Sequence, residues 1–297
     1  MAICRKMTIF ALRMKSMSYD ELWRPLSSRY GVGEAKAIVR LVLERRFGLS
    51  FTDIVCGKVE SMSADAAQQL MALMTRLHGG EPVQYVLGEA EFCGRVFCVG
   101  PGVLIPRPET AELCRWVVES VARTGSCSVL DIGTGSGCIA CTLAAEMPWA
   151  EVTAWDISDD ALSIAAENAR RIDVNVSFSR VDVLQPSVSC LQPSAFNIIV
   201  SNPPYICDKE RAAMEPHVLE HEPSTALFVP DADPLLFYRA IGRLAVQALK
   251  PGGLLFFELN ALYAHETAAL LQSIGFTSIT IKRDQFNRER FIKACRV

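Results

Sequence analysis

An amide, two prolines and a phenol stand together at Asn202-Pro203-Pro204-Tyr205, directly after the apolar run Ile198-Ile199-Val200. The run reads as a buried strand, so these four residues form a loop at its end. Each proline fixes φ and lacks an N–H, and Pro203 also pushes Asn202 toward an extended conformation. A stiff loop of this kind suits a planar group that carries an NH2. The Asn202 side-chain oxygen and the Pro203 carbonyl can each accept a hydrogen bond, and the Tyr205 ring can pack on a flat face. An ordinary Pro-Pro turn is the alternative, and the loop alone does not decide between them.

A second pattern lies upstream: Val129-Leu130-Asp131-Ile132-Gly133-Thr134-Gly135-Ser136-Gly137-Cys138-Ile139-Ala140, an apolar strand, a glycine turn and the start of an apolar helix. A dinucleotide fingerprint wants its third glycine where Cys138 stands, and no Gly-Lys-Ser/Thr follows to make a phosphate loop. The spacing fits a turn that lets backbone approach a ligand closely without gripping a pyrophosphate. The next strand, Val152 to Trp155, ends in Asp156, where an acid can take both hydroxyls of a ribose. Asp182 follows Val176-Ser177-Phe178 and can accept from an exocyclic amine. Together these describe an S-adenosylmethionine pocket, with Gly133, Thr134, Gly135, Ser136, Gly137, Asp156, Asp182, Val183 and Asn202 as the cofactor-binding residues. Asn202, Pro203, Pro204 and Tyr205 are the substrate-binding residues, and Asn202, Pro203 and Tyr205 the catalytic ones.

With these motifs in order, the chain resembles the HemK/PrmC family of release factor glutamine methyltransferases over nearly its whole length from about Met17. Gly88 to Gly94 and Ile105-Pro106-Arg107-Pro108-Glu109-Thr110 look like the family's stretch before its catalytic domain. Asp131 to Gly137, Asp156-Ile157-Ser158, Asn168-Ala169, Asn202 to Tyr205 and Glu222-Pro223 match later segments. Departures fall elsewhere: Cys93 for an aromatic, Val229-Pro230-Asp231 for a glycine turn, and Asn260 and Asn287 for glycines. The resemblance implies methylation of the glutamine amide in the Gly-Gly-Gln motif of class-I peptide chain release factors, with the N-terminal helices docking that partner. The roles of Arg107 and Glu109 stay open between bracing the rim of the site and a structural salt-bridged turn.

Methyl transfer to an amide nitrogen is hard because its lone pair is delocalised, and this loop offers no base strong enough to deprotonate it first. Asn202 Oδ1 and the Pro203 carbonyl are expected to accept the two amide hydrogens and stabilise the charge that grows on nitrogen, with Tyr205 packed on the amide plane. Adenine-amino methylation of nucleic acid uses a similar loop, but the net charge of −3 and sequence pI of about 5.9 count against it. Another glutamine, for example on a ribosomal protein, is a nearer alternative. A non-catalytic binding module should show a broken glycine loop, which is not seen. His217-Val-Leu-Glu-His221 spells an inverted zincin pattern. It lacks an evident third ligand, and the reading is of surface or loop histidines with no metal.

The elements that must hold these groups follow from periodicity. From Ser18 to Gly79 the apolar spacing is helical: Tyr19, Leu22, Trp23 and Leu26, then Ala37 to Arg45, then Ala66 to Leu77 with Ser63 as N-cap and Gly79-Gly80 as stop. The domain reading is an extension over residues 1–16, a helical bundle over 17–80, a β-hairpin linker over 81–108 with Val86, Phe92, Val96, Phe97 and Val99 on strands, and a methyltransferase domain over 109–297. That last part alternates helix and strand: helix 110–123, strands near 127–131, 151–155, 175–179 and 196–201, helix 234–249, a Lys250-Pro-Gly-Gly253 turn, strand 254–258, helix 263–273, and strands 277–283 and 290–294. The fold class is α/β, a doubly wound Rossmann-like domain of the class I methyltransferase kind. A closing antiparallel hairpin is what the resemblance implies.

Half of the 297 residues are apolar, and the chain can bury a sizeable core. Residues 1–90 hold 12 Lys/Arg against 9 Asp/Glu, so the helical part is the more basic one. Eleven scattered cysteines read as reduced thiols in a cytoplasmic protein. Cys138 and Cys141 read as small buried helix residues rather than a zinc pair. No apolar run is long enough for a membrane span. Residues 1–16, basic and without acids, are compatible with a targeting presequence and read better as a disordered extension or as a sequence upstream of a true start at Met14 or Met17. A monomer that does not bind nucleic acid directly is expected.

Overall fold

The computed structural model describes residues 17–121, 125–185 and 193–297. The expected extension 1–16 lies outside these residues, as does the end of the expected helix 110–123. The chain divides into two compact units. One comprises the described residues up to Gly88 with Pro216–His221, and the other Glu89–Glu215 with Glu222–Val297.

The first unit is helical: α1 (Tyr19–Trp23), α2 (Ser27–Phe47), α3 (Phe51–Val55), α4 (Ala64–His78) and α5 (Val83–Leu87). Ser18 and Glu21 form a reciprocal capping box on α1, and Ser63 caps α4 by accepting from Ala66 N at 3.2 Å. Leu70, Met74 and Leu77 of α4, at i, i+4 and i+7, are buried with Leu22, Val39, Val42 and Leu43. Val86 lies on α5, not on a strand. The Pro82 carbonyl accepts from Val86 N at 3.0 Å, and Gly88 closes the helix in the left-handed region at φ 70°. The hairpin begins only afterwards, with β1 (Glu89–Phe92) pairing antiparallel to β2 (Arg95–Cys98), and it groups with the second unit.

The second unit continues with α6 (Pro108–Glu119), β3 (Cys127–Ile132), α7 (Cys138–Glu146), β4 (Ala150–Asp156), α8 (Asp159–Ile172), β5 (Val176–Arg180) and β6 (Phe196–Ser201). Then come β7 (Ile206–Cys207), α9 (Pro216–His221, which belongs to the first unit), α10 (Ser224–Leu227), β8 (Phe228–Val229), α11 (Leu236–Ala248) and β9 (Leu249–Glu258). The chain closes with α12 (Ala264–Ser273), β10 (Phe276–Arg283) and β11 (Glu289–Arg296). One seven-stranded sheet runs in the order β10-β11-β9-β6-β3-β4-β5. β5, β4, β3, β6 and β9 are parallel neighbours, while β11 is antiparallel to both β9 and β10, the expected closing hairpin.

Alternate residues along each central strand feed opposite faces. Val129, Ile198, Val200 and Phe256 pack with α6 and α7, whereas Leu130, Ile199, Leu255 and Phe257 pack with α11 and α12. Helices therefore cover both faces, as in a doubly wound sheet. Strand order reverses between β3 and β6, so the crevice beyond their carboxyl ends is where a ligand belongs. Lys250 to Gly253 does not form a turn ahead of the last parallel strand. It lies within β9, with a register irregularity against β6.

Candidate active site

The glycine turn leaves β3 at Ile132 and is tied to the end of β4, because the Gly133 and Thr134 amides donate to the Trp155 carbonyl at 2.8 and 3.0 Å. Gly133 and Gly135 adopt φ of 73° and 54°, and a Cβ on either would meet no atom within 4 Å. Bare backbone thus faces open space where a side chain would project, a cradle for a ligand's own atoms. Gly137 differs. A Cβ there would lie 2.9 Å from Ala165 Cβ and 3.2 Å from Ala165 Cα on α8. Its absence of side chain serves helix packing, and Gly137 does not line the cavity.

Beneath the turn, Asp131 is fully buried. Its Oδ2 accepts from Thr134 Oγ1 at 2.6 Å and from Ala140 N at 3.2 Å, and burial pushes its carboxyl up to about 7. Asp156 holds the turn from the side: Oδ2 accepts from Gly135 N at 2.8 Å and Oδ1 from Ser158 N at 3.0 Å. Each oxygen keeps lone-pair capacity for a ligand hydroxyl. Ser158 in turn caps α8, and Asn168 within that helix is completely buried. Asn168 donates to Ser136 O at 2.8 Å and to Cys98 O at 2.9 Å, linking the glycine turn to β2. Asp182 spends Oδ1 on the Leu184 amide at 2.9 Å.

These groups share one cavity of about 420 Å³. Gly133, Thr134, Gly135, Ser136, Asp156, Asp182, Val183, Asn202, Pro203 and Pro204 all line it, joined by Arg107, Thr110 and the half-exposed Ile157. Among the described residues, the buried Ser136 Oγ on this wall has no hydrogen-bond partner. Two glycines with room for a ligand, an oriented carboxylate and an unpaired buried hydroxyl fit a group with ribose hydroxyls and a polar tail.

Tyr205 is not on the cavity wall. It packs into the core formed with α11 and α12, and its hydroxyl donates to Glu258 Oε1 at 3.0 Å. Its hydroxyl thus ties the loop to the end of β9. Burial first, then the Glu258 carboxylate, pushes its phenol well up. Glu258, at the end of β9, also accepts from Thr110 Oγ1 at 2.7 Å, and Asn202 Nδ2 donates to that same Thr110 oxygen at 3.2 Å. Burial raises the Glu258 carboxyl against the opposing pull of these hydrogen bonds and of Arg290.

Sequence reasoning left Thr110 and Glu258 without a role, although Thr110 ends the quoted Ile-Pro-Arg-Pro-Glu-Thr run and an acid closing the apolar run Leu254 to Phe257 is itself a signal. Arg107 both lines the cavity and forms a salt bridge, so the two readings of it meet in one residue. Its guanidinium meets Glu222 Oε1 at 2.5 Å, and Glu222 Oε2 accepts from Ile105 N at 3.1 Å, with the Glu222 side chain fully buried. His217 and His221 sit on the six-residue α9 rather than in a loop, and no cluster of three metal-ligating side chains occurs among the described residues. Cys138 and Cys141 are buried on α7, as expected. No helix among the described residues is long and apolar enough to cross a membrane.

Comparison with known proteins agrees with this architecture. Residues 26–88 match the PrmC N-terminal domain, and residues 114–222 the Methyltransferase small domain. The release factor glutamine methyltransferase of Bacteroides thetaiotaomicron is 44% identical over 91% of this chain and 96% of its own length. The protein of the same description from Flavobacterium psychrophilum is 39% identical over 90% and 94%. Among solved structures, the Thermus thermophilus 16S rRNA N2 G1207 methyltransferase, in complex with AdoMet and guanosine, aligns with a TM-score of 0.49 at 19% identity, over 70% of this chain and 50% of that one. On the strength of the full-length relatives, the chain belongs to the release factor glutamine methyltransferase family.

Proposed function

We propose that this protein methylates the side-chain amide nitrogen of the glutamine in the Gly-Gly-Gln motif of class-I peptide chain release factors, with S-adenosyl-L-methionine as methyl donor. The observation that carries the reading is the meeting of two motifs in one cavity. The glycine turn with Asp156 lies on one wall, and Asn202-Pro203-Pro204 on another. Family membership supports the choice of substrate.

Gly133, Gly135, Asp156, Asp182 and Val183 are the residues that would hold the cofactor, with Asp156 taking the ribose hydroxyls. The cofactor supplies a methyl group already activated by attachment to a positively charged sulfur. The remaining task for the chain is to prepare the acceptor. Asn202 Oδ1 and the Pro203 carbonyl accept the two amide hydrogens, which orients the nitrogen and offsets the positive charge it acquires. The surplus proton then leaves to water, so neither a strong base nor a metal is needed on the nitrogen. Tyr205 holds the loop from behind, through Glu258.

The test is transfer of labelled methyl from S-adenosylmethionine to a purified release factor, beside its Gln→Ala variant in the Gly-Gly-Gln motif. Label on the unaltered factor alone is expected. Equal label on both, or label on neither while the cofactor binds, would overturn the choice of acceptor and turn attention to another protein glutamine.

A further inference from the structure

Asparagine presents a donor and an acceptor of nearly the same shape, and only one orientation of Asn202 can accept an amide hydrogen. Nothing in the Asn-Pro-Pro-Tyr loop itself selects that orientation. The selection is made by groups outside it. Glu258 is 2% exposed at the end of β9 and receives Thr110 Oγ1 at 2.7 Å on Oε2 and Tyr205 Oη at 3.0 Å on Oε1. An ionised carboxylate only accepts, so the single hydroxyl hydrogen of Thr110 is committed to Glu258. Thr110 Oγ1 then faces Asn202 as an acceptor, and the group it takes, at 3.2 Å, is Nδ2. Oδ1 is left for the cavity. Reverse the carboxylate's role and the order reverses: a Thr110 hydroxyl free to turn can donate to Oδ1, and the amide then presents N–H groups to the substrate's N–H groups.

We propose that Thr110 and Glu258 are positioning residues for the methyl transfer, a polarised hydrogen-bond relay that fixes Asn202 with its oxygen toward the substrate amide. This rests on the reading above that Asn202 accepts from that amide. Burial raises the Glu258 carboxyl, while the hydrogen bonds from Thr110 and Tyr205 and the charge of Arg290 oppose that shift and support the ionised form at the head of the relay. Arg290, on β11, lies 6.0 Å over the Tyr205 ring and donates to Leu259 O at 2.9 Å, and its charge lowers the Glu258 carboxyl. Glu109, beside Thr110, acts weakly in the opposite sense. Tyr238 fixes the same strand end by donating to the Glu258 main-chain oxygen at 3.2 Å. Thr110 itself is 3% exposed at the start of α6 and borders the same cavity as Asn202.

The experiment compares wild type, Thr110→Val, Thr110→Ser and Glu258→Gln in steady-state methylation of a release factor, with cofactor binding measured separately. Thr110→Val is expected to lower kcat about tenfold, with KM for the factor and cofactor affinity within about twofold of wild type. Thr110→Ser is expected to recover most of that loss. Glu258→Gln, nearly isosteric, is expected to lose kcat by a similar factor, and it decides the matter if Thr110→Val does not fold. Wild-type kcat in a folded Thr110→Val or in Glu258→Gln, or a Thr110→Ser no better than Thr110→Val, overturns the relay. The assigned NMR signals of the Asn202 side-chain NH2 in the free enzyme give a readout independent of substrate. They should move in Thr110→Val and return in Thr110→Ser. If wild type methylates no release factor, the substrate reading fails, while an unmoved Asn202 signal would still count against the relay.

Discussion

Gly135→Ala and Gly137→Ala are the same chemical change two residues apart in one turn, yet they should damage different things. Both sites lie in the left-handed region, where a Cβ costs about 1–2 kcal/mol. At Gly135 the new methyl meets nothing in the protein and points into open space on the cavity wall. At Gly137 it meets Ala165 Cβ at 2.9 Å and Ala165 Cα at 3.2 Å, atoms of a helix that cannot swing aside. Overpacking of this kind adds about 1–3 kcal/mol, so Gly137→Ala should cost roughly 2–5 kcal/mol in all. Urea unfolding of the free protein reads the stability, and calorimetric titration with S-adenosylmethionine reads the affinity. Gly135→Ala should lose only the backbone cost of about 1–2 kcal/mol and bind the cofactor at least about tenfold more weakly, the factor that corresponds to roughly 1.4 kcal/mol. Gly137→Ala should lose stability first, and adding Ala165→Gly should restore part of it, because the shortest contact is Cβ to Cβ. If Gly137→Ala is no less stable than Gly135→Ala, or if Ala165→Gly recovers nothing, the division of labour within the turn is refuted.

Three further outcomes are expected. Asn202→Ala should lower kcat about a hundredfold, on the order of 3 kcal/mol, while cofactor affinity measured by titration stays near that of wild type. Glu222→Ala leaves the Ile105 amide and Arg107 without their shared carboxylate. Because Arg107 keeps about a third of its side-chain exposure, the loss should be about 2–3 kcal/mol in urea unfolding rather than the full cost of a buried pair. Asp131 titrates near 7 when folded against 3.8 as its ordinary value, so between those values the native state binds more protons than the unfolded one. Its contribution to stability is therefore largest below about 4 and is lost as pH rises toward 7. Asp131→Asn should flatten the fall in stability between pH 4 and 7, and an unchanged pH profile in that variant would remove Asp131 from the account.

Legibility in the sequence tracks how local the signal is. The α4 stripe, the β3-turn-α7 unit and the run into Asn202 each announce themselves within a dozen residues, by period, cap or glycine, and the chain adopts them. Val83 to Leu87 did not. Five mostly apolar residues carry too little period to separate strand from helix, and the deciding features are the cap at Gly88 and burial of Val86. Lys250-Pro-Gly-Gly253 reads as a turn from composition. In the sheet, Lys250 Nζ donates to Asn197 Oδ1 at 2.9 Å and Gly253 packs close to the Asn197 carbonyl, so the strand continues through an irregularity. Gly137 shares a motif with Gly133 and Gly135, but its reason is Ala165, 28 positions later in the sequence, a packing partner that spacing cannot reveal. Tyr205 and Thr110 meet at Glu258, which is distant from both along the chain, and only the strand order brings β9 beside β6. The chemistry-bearing groups were thus readable one motif at a time, whereas the bonds that orient them belong to the tertiary fold.

The central claim is that the Asn202 loop and the glycine turn serve one reaction on one acceptor atom. It is tested most directly by tandem mass spectrometry of a class-I release factor after incubation with the enzyme and S-adenosylmethionine. A single methyl group on the Gly-Gly-Gln glutamine side chain with wild type, and almost none in the same time with Asn202→Ala, is the predicted result. A methyl group found on any other residue, or the same glutamine methylated equally by both proteins, would contradict it.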